Sequence, residues 1–172
     1  MISFFIPIRK GSKRVKNKNI RPIKKFRLGL TEIKILQLRK LCNSINRLNL
    51  KKFKPIEIIV STNCEKVKKF LKPLKWIKIH HRNEHLSSDD CLGELIKEVP
   101  RICQGEYIVW THVTSPCFNE KDYLDFLIKF FKKSNNTDSA FSADLVGTYI
   151  LNEDNKWISH NYRKKNGPEH KI

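Results

Sequence analysis

A basic loop that contains a glycine follows the first apolar segment of the chain. It runs from Arg9 to Asn19 and reads Arg-Lys-Gly-Ser-Lys-Arg-Val-Lys-Asn-Lys-Asn. Gly11 would let backbone N–H groups approach a phosphate closely, and Ser12 adds a hydroxyl donor. Positive charge comes from Arg9, Lys13 and Lys18. The loop has neither the Walker A spacing nor that of the dinucleotide fingerprint. It predicts a phosphate site of another kind, with a solvated basic turn as the competing interpretation.

Three further polar segments also follow apolar ones. They are Ser61-Thr62-Asn63, the stretch from His81 to Asp90, and Thr114-Ser115-Pro116. If each apolar segment is a strand of one parallel sheet, the four loops leave its carboxyl edge together. Ligands bind at that edge in open α/β sheets. The sequence therefore predicts one shared binding site built from all four loops.

The apolar pattern predicts strands and helices in alternation. Strands are predicted over 2–8, 56–60, 76–80, 107–113, 139–145 and 147–151. Helices are predicted over 31–48, from a cap in Ser61-Thr62-Asn63 to about Lys72, over 92–102, and from a cap at Asn119. A turn is predicted at 152–155, and the polar stretch 163–172 is expected to be loose.

This alternation indicates βαβ units and a mainly parallel sheet with helices on both faces. The fold class is therefore α/β, a three-layer αβα sandwich of Rossmann-like type. No repeat and no linker divides the 172 residues, so we expect a single nucleotide-binding domain over 1–172.

Positive charge is concentrated in the first third of the chain. The whole sequence has 35 Lys or Arg and 17 Asp or Glu, but 17 of the basic residues and only Glu32 among the acids precede Pro55. Such asymmetry favours a polyanionic partner. A solvated lysine-rich surface is the competing interpretation, because one triphosphate needs only about three or four cations.

The five cysteines are widely spaced and form no Cys-x-x-Cys pair. They favour structural thiols and a reducing compartment over a disulfide scaffold or a zinc site. The apolar start of the chain fits a strand better than a signal peptide, and no apolar run approaches the roughly 20 residues of a membrane span. We therefore expect a cytoplasmic protein with no membrane partner.

Five segments in order resemble the acylneuraminate cytidylyltransferases, which activate sugar acids such as sialic acid as CMP conjugates. The resemblance runs from residue 1 to about 150. The segments are Ile-Pro-Ile-Arg9-x-Gly11-Ser12-Lys13 with Lys18-Asn19-Ile20-Arg21-Pro22; Val60-Ser61-Thr62-Asn63; Arg82 with Leu86-Ser87-Ser88-Asp89; Thr111-His112-Val113-Thr114-Ser115-Pro116; and Asp138-Ser139-Ala140-Phe141-Ser142. The resemblance implies a nucleotide-diphospho-sugar transferase-like fold, with CTP and a sugar acid such as a nonulosonate as substrates.

The resemblance also implies residue roles. Arg9, Lys13 and Lys18 would be catalytic, holding the triphosphate together with Gly11 and Ser12, with Asn19 close by. Arg82, Ser88 and Asp89 would face the cytosine and ribose, and His112 would lie near the nucleotide sugar. Thr114 and Ser115 would shape the floor of the site. For two of these positions a structural interpretation stays open: Ser115-Pro116 as a simple turn, and Asp89 as a helix cap.

The chain departs from the family pattern at several positions. Lys10 stands where a glycine is common, Arg14-Val15-Lys16 replaces Gly-Leu/Ile-Pro, and His112-Val113 replaces Gln-Pro. Family members run about fifty residues further, with aspartates for Mg²⁺, part of the sugar pocket and dimer contacts. Mg²⁺ and a homodimer are therefore implied only by resemblance, and no metal ligand is assigned. Two alternatives to the active enzyme are a truncated nucleotide-binding relative with little activity and, less favoured, a basic nucleic-acid-binding protein.

Overall fold

The computed structural model describes residues 1–12, 15–88, 90–133, 137–143, 152–154 and 156. The chain divides into two compact units, Met1–Lys133 and Ser134–Ile172. The larger unit contains the sheet and the helices that are described below.

In the described residues, the sheet of the larger unit has four parallel strands in the order β3-β2-β1-β4. Their bounds are β1 Ile2–Ile8, β2 Ile56–Thr62, β3 Lys78–His81 and β4 Tyr107–Trp110. The strand β1 is central because it pairs with β2 on one side and with β4 on the other. Its apolar run is buried on both faces, as is typical of a parallel strand covered by helices.

Four α-helices of the described part of the chain cover the sheet and make the predicted three-layer αβα sandwich. They are α1 Gly29–Arg47, α2 Glu65–Leu71, α3 Leu92–Ile102 and α4 Glu120–Lys133. The helices α1, α2 and α4 pack on one face, against Phe4 and Ile6 of β1. The helix α3 packs on the other face, where Leu95 and Val99 contact Phe5. Successive side chains of β1 point to opposite faces of the sheet and therefore pack into two separate hydrophobic cores.

A polar cluster fastens three segments beneath the amino end of the sheet. Ser3 is fully buried, and its hydroxyl donates to Glu57 Oε2 at 2.6 Å. The backbone N–H of Gln104 donates to the same carboxylate at 2.9 Å, and that of Gly105 donates to Ser3 Oγ at 2.8 Å. Burial opposes ionisation of Glu57, but hydrogen bonds from Gln104, Ser3 and Lys78 together lower the pKa of its carboxyl. The cluster therefore fixes β1, β2 and the start of β4 in one register.

Most predicted elements are confirmed, with shifted ends. The helix α1 begins two residues early, β2 continues to Thr62, and β3 begins and ends later than the predicted 76–80. The predicted strand 107–113 ends at Trp110, because the chain turns at His112, where Ser115 N–H donates to the His112 carbonyl. Asn119 caps α4 as predicted, since its Oδ1 accepts from the Lys121 N–H at 2.9 Å.

The prediction that Ser61-Thr62-Asn63 caps the next helix is wrong. The residue before α2 is Cys64, and it makes no side-chain cap hydrogen bond. The Asn63 side chain is used across the sheet edge instead: its Oδ1 accepts from the Lys10 N–H, and its Nδ2 donates to Glu84. An amide that links two neighbouring loops cannot also cap the helix.

In the smaller unit the predicted strand 139–145 is wrong over 139–143. These five residues are in no strand and are exposed, with Phe141 87% exposed. An exposed aromatic side chain does not supply the half-buried surface that favours a strand. The rest of that strand, the predicted strand 147–151 and the tail 163–172 lie outside the described residues. The turn near Asn152 is present, because Asn152 Oδ1 accepts from the N–H groups of Asp154 and Lys156.

Helices able to cross a bilayer are absent from the described part of the chain, since none is both long and apolar enough.

Candidate functional site

A cleft of about 220 Å³ opens beyond the carboxyl ends of β1 and β4. This is the switch point of the sheet: the chain leaves β1 toward β2 on one side and returns through α3 to β4 on the other. Ligands of doubly wound sheets bind at such a point. The described lining consists of Pro7, Arg9, Lys18, Asn19, Arg82, Leu86, Ser87, Ser88, Leu92, Leu95, Trp110, His112, Val113 and Thr114.

Most of the predicted site residues meet in this cleft. The structure brings together Arg9, Lys18, Asn19, Arg82, Ser88, His112 and Thr114. Gly11, Ser12 and Ser115 are described but are not part of the lining; Gly11 is exposed and has a φ of +72°, so it serves a turn. Lys13 and Asp89 lie outside the described residues. The prediction that the four loops share one edge is confirmed, because Arg9, Ser88 and Thr114 line the same cleft and Asn63 contacts two of these loops.

Asn63 links the loop after β1 to the segment after β3. The Lys10 N–H donates to Asn63 Oδ1 at 2.7 Å, and Asn63 Nδ2 donates to Glu84 Oε2 at 2.8 Å. The neighbouring Arg9 Nη1 donates to the Ser87 carbonyl at 3.5 Å, a long hydrogen bond. These contacts place the Arg9 guanidinium at the wall of the cleft that Leu86–Ser88 forms.

Arg82 is a buried cation in the cleft, with only 7% of its surface exposed. Its Nε donates to Ser61 Oγ at 3.1 Å and its Nη2 to the Ser61 carbonyl at 2.9 Å. Since Ser61 Oγ accepts from Arg82, it donates to His80 Nδ1, 2.9 Å away, and so favours a neutral His80 protonated on Nε2. Burial lowers the pKa of His80, which favours the neutral ring.

The charge of Arg82 is uncompensated by any carboxylate in the described part of the chain. Burial, and next the positive charge of Arg9, lower the pKa of Arg82 from 12.5 to about 10. The guanidinium is therefore still charged at neutral pH, but at an energetic cost. An anion or a strong acceptor in the cleft would remove that cost, so Arg82 is suited to contact such a ligand.

Asn19 offers the cleft an acceptor that has no partner. The residue is 8% exposed, and its Oδ1 is buried without a hydrogen bond in the structure. Its backbone carbonyl accepts from both the N–H and the hydroxyl of Thr31, which ties the end of the basic loop to α1. Buried polar atoms without partners are costly, but this amide oxygen has almost no accessible surface, so the Asn19 side chain would have to turn before the oxygen could accept from a bound molecule.

Trp110, the last residue of β4, and His112, just after it, form one wall of the cleft. Trp110 Nε1–H donates to His112 Nε2 at 3.0 Å, so the neutral ring carries its proton on Nδ1. Burial lowers the pKa of His112, which keeps the ring neutral at pH 7. His112 can therefore donate one hydrogen bond from Nδ1 to a ligand, but it supplies no positive charge there.

A buried lysine on α1 supports the loop after β4 from below. Lys34 is fully buried, and its Nζ donates to the carbonyls of Ser115 and Phe118 at 3.0 and 2.9 Å and to the Tyr123 hydroxyl at 3.1 Å. Gln37 Nε2 donates to the Pro116 carbonyl at 2.7 Å beside it. Thr114 is thus held at the cleft by a loop whose carbonyls are bound from inside the protein.

Lys34 should make stability depend on pH in the alkaline range. Burial lowers its pKa from 10.5 to about 8, and the charge of Asp122 opposes this only in part. The unfolded chain then binds the proton more tightly, so the free energy of unfolding rises as pH increases from about 8 to about 10.5. At 1.36 kcal/mol per unit the rise is about 3 kcal/mol. Urea unfolding at both pH values measures this change. The free energy of unfolding should rise between the two pH values in the wild type but not in Lys34→Met.

The control for that experiment is Lys40→Met on the same helix, because the Lys40 side chain is 69% exposed. Lys40→Met should keep the wild-type pH slope. If the free energy of unfolding changes equally with pH in the wild type and in Lys34→Met, then Lys34 does not lose its proton at a lowered pKa in the folded protein.

The described lining contains three cations, Arg9, Lys18 and Arg82, and no carboxylate. It suits a multiply charged anion. Mg²⁺ is held in proteins through one or two carboxylates together with substrate phosphates. The described lining residues alone therefore do not fit Mg²⁺.

Sequence reasoning missed part of this site. Leu92, Leu95 and Trp110 line the cleft but were assigned only to a helix and a strand. Lys34 was missed as a support, although a signal existed: it precedes Leu38, Leu41 and Ile45 at helical spacing, on the stripe that proves buried. A lysine inside an apolar stripe indicates a buried amine with acceptors nearby.

The doubly wound sheet and its cationic cleft define an α/β protein with a site for an anionic ligand. A family model described as cytidylyltransferase matches residues 3–166, so the chain belongs to the cytidylyltransferase family. Among solved structures, the chain is similar to CMP:2-keto-3-deoxy-manno-octonic acid synthetase complexed with CTP, at 20% identity and a TM-score of 0.50. The match covers 77% of this chain and 48% of that one, so the chain spans about half the length of that synthetase. No curated protein gives a significant match.

Proposed function

We propose that this protein binds CTP in the cleft and transfers CMP to a sugar acid, with release of pyrophosphate. The observation that carries the proposal is the cluster of Arg9, Lys18 and Arg82 around a cleft with no carboxylate in its described lining. Membership of the cytidylyltransferase family supports CTP as the nucleotide.

In this reaction a hydroxyl oxygen of the sugar acid attacks the α-phosphorus of CTP. A new P–O bond forms to the sugar, the bond between the α-phosphorus and the bridging oxygen breaks, and pyrophosphate leaves. The hydroxyl proton is lost to solvent or to a base. Negative charge accumulates on phosphate oxygens, so the protein accelerates the reaction by positioning and by cations rather than by a covalent nucleophile.

The cleft divides the nucleotide between two sets of groups. Arg9 and Lys18 belong to the loop after β1. They would hold the phosphates, together with Lys13. The wall from Arg82 to Ser88 would face the cytosine and the ribose. The volume of about 220 Å³ is below the roughly 300–1,000 Å³ of pockets that enclose a drug-sized ligand, so only part of CTP would be enclosed.

The sugar acid would be an eight-carbon 2-keto-3-deoxy acid. The related synthetase complexed with CTP is described as acting on an eight-carbon acid of this kind. A nine-carbon sialic acid is the alternative that the motif resemblance implies. Mg²⁺ belongs to the proposal as the ion that would accompany the triphosphate.

Titration calorimetry tests the nucleotide part of the proposal. CTP should bind more tightly than ATP, because the wall from Arg82 to Ser88 reads the base. Arg9→Ala should weaken CTP binding about ten- to hundredfold, since charge-assisted hydrogen bonds contribute roughly 1.5–3 kcal/mol each. Lys51→Ala, an exposed lysine outside the cleft, should bind CTP like the wild type. Equal affinity for ATP and CTP would contradict the cytidine assignment.

Pyrophosphate release tests the transfer itself. The protein is incubated with CTP, Mg²⁺ and either an eight-carbon or a nine-carbon 2-keto-3-deoxy acid, and pyrophosphate and the CMP-sugar are measured. Release that needs both substrates supports the proposal. If CTP binds but no pyrophosphate is released with either acid, the protein is a nucleotide-binding relative and the proposed transferase activity is overturned.

A further inference from the structure

Beyond the nucleotide cleft, three potential metal ligands of different chemistry meet at the start of α3. They are His85, in a short 3-10 helix at His85–Ser87, Cys91, the residue before α3, and Glu94 in the first turn of α3. One ligand atom from each lies within 4.8 Å of the other two. Neither the proposed transfer reaction nor the family resemblance uses these side chains.

Two separations within this cluster, those from His85 Nε2 to Cys91 Sγ and to Glu94 Oε2, can be compared with a tetrahedral metal site. Zinc bonds of about 2.0–2.3 Å place neighbouring ligands roughly 3.3–3.8 Å apart. Cys91 Sγ lies 3.7 Å from His85 Nε2, within that range, but it also lies 3.9 Å from Nδ1, so the imidazole ring would have to turn for Nε2 to face an ion shared with the sulfur. Glu94 Oε2 lies 2.9 Å from the same nitrogen, as a hydrogen bond, and would need to move by about half an ångström.

We propose that His85, Cys91 and Glu94 form a binding site for a divalent transition metal, with zinc as the expected ion and water as the fourth ligand. A thiolate and an imidazole favour zinc over Mg²⁺ or Ca²⁺, which take oxygen ligands. The site is accessible: the side chains of His85 and Glu94 are 63% and 57% exposed. Without a metal, an exposed His–Glu pair contributes little to stability.

The bound ion would connect two parts of the cleft wall. His85 precedes Leu86, Ser87 and Ser88, and Cys91 precedes Leu92, all four of which line the cleft. A metal bonded to His85, Cys91 and Glu94 would hold that wall against the start of α3. The site therefore acts on the order of the wall and takes no part in bond breaking.

Cobalt(II) absorption tests the site directly, with the protein kept reduced by a reductant that contains no thiol. Stoichiometric Co²⁺ should give a near-ultraviolet thiolate-to-cobalt band, and Zn²⁺ should remove it by competition. Cys91→Ser should abolish the band, whereas Cys117→Ser, which removes an exposed thiol elsewhere, should keep it. No band in the wild type, or an unchanged band in Cys91→Ser, would overturn the proposal.

His85→Gln provides a second test and leaves the core unchanged, because the His85 side chain is largely exposed. Its zinc affinity should fall by more than the roughly 10- to 100-fold that loss of an outer-shell partner costs. Zinc should also slow hydrogen exchange at 85–88 in the wild type but not in His85→Gln. Equal zinc affinity of the two proteins would exclude His85 as a ligand and overturn the site.

Discussion

Replacing Arg82 with methionine should lower the affinity for CTP by about ten- to hundredfold. The guanidinium is buried in the cleft, remains charged at neutral pH and has no carboxylate partner in the described structure, so a bound nucleotide would supply the acceptor that it lacks. Arg82→Lys should recover only part of the affinity, because the ammonium keeps the charge but loses the planar fork of donors. Titration calorimetry with CTP measures both effects.

The matched control is Arg101→Met in the last turn of α3, an exposed arginine outside the cleft lining. Arg82 also donates to Ser61, so urea unfolding should accompany each titration to establish that the variants are folded. A folded Arg82→Met variant with wild-type CTP affinity would show that the nucleotide does not bind in this cleft.

Gly29→Ala should destabilise the protein by about 3 kcal/mol or more. Gly29 begins α1 with a φ of +48°, which costs residues with a Cβ about 1–2 kcal/mol. A Cβ there would lie 1.9 Å from the Arg21 carbonyl oxygen, so the backbone must shift as well. Because Thr31 holds Asn19, the shift would also disturb the cleft, and CTP affinity should fall together with the free energy of unfolding.

Gly93→Ala is the matched control, because it makes the same change in another helix. Gly93 lies in α3, and a Cβ there would meet nothing within 4 Å. Alanine should stabilise that helix by about 0.5–1 kcal/mol, the opposite direction. Urea unfolding of the two variants separates these results. A Gly29→Ala variant as stable as the wild type would contradict the close approach to Arg21.

The sequence was sufficient to predict the layers and the location of the cleft. Ile2–Ile8 and Ile56–Val60 are apolar runs too short for helices, and the helix at 92–102 shows one apolar face. Alternation of such elements leaves few topologies, and all of them place the following loops at one sheet edge. That is why Arg9, Arg82 and Thr114, far apart in the chain, could be predicted to meet.

Contacts between side chains and distant backbone groups could not be predicted in the same way. Asn63 has the residue type of a helix cap, and only the position of Lys10 and Glu84 in space decides that it links two loops. The strand ending at Trp110 was predicted to continue because Val113 is apolar, yet Val113 is buried beyond the strand, after the turn has begun. Burial alone does not distinguish a residue inside a strand from a residue in the turn that follows the strand.

The central position of β1 has a consequence for how the protein can fold during synthesis. The Ser3 hydroxyl bonds Glu57, 54 residues away, and accepts from Gly105, 102 residues away. The strand β1 therefore has one edge unpaired until β4 is made, and non-local pairing of this kind is slow. An apolar strand that waits in this state is exposed to aggregation. Cotranslational folding of the sheet must accordingly be a late event, completed only when the residues beyond Trp110 have emerged.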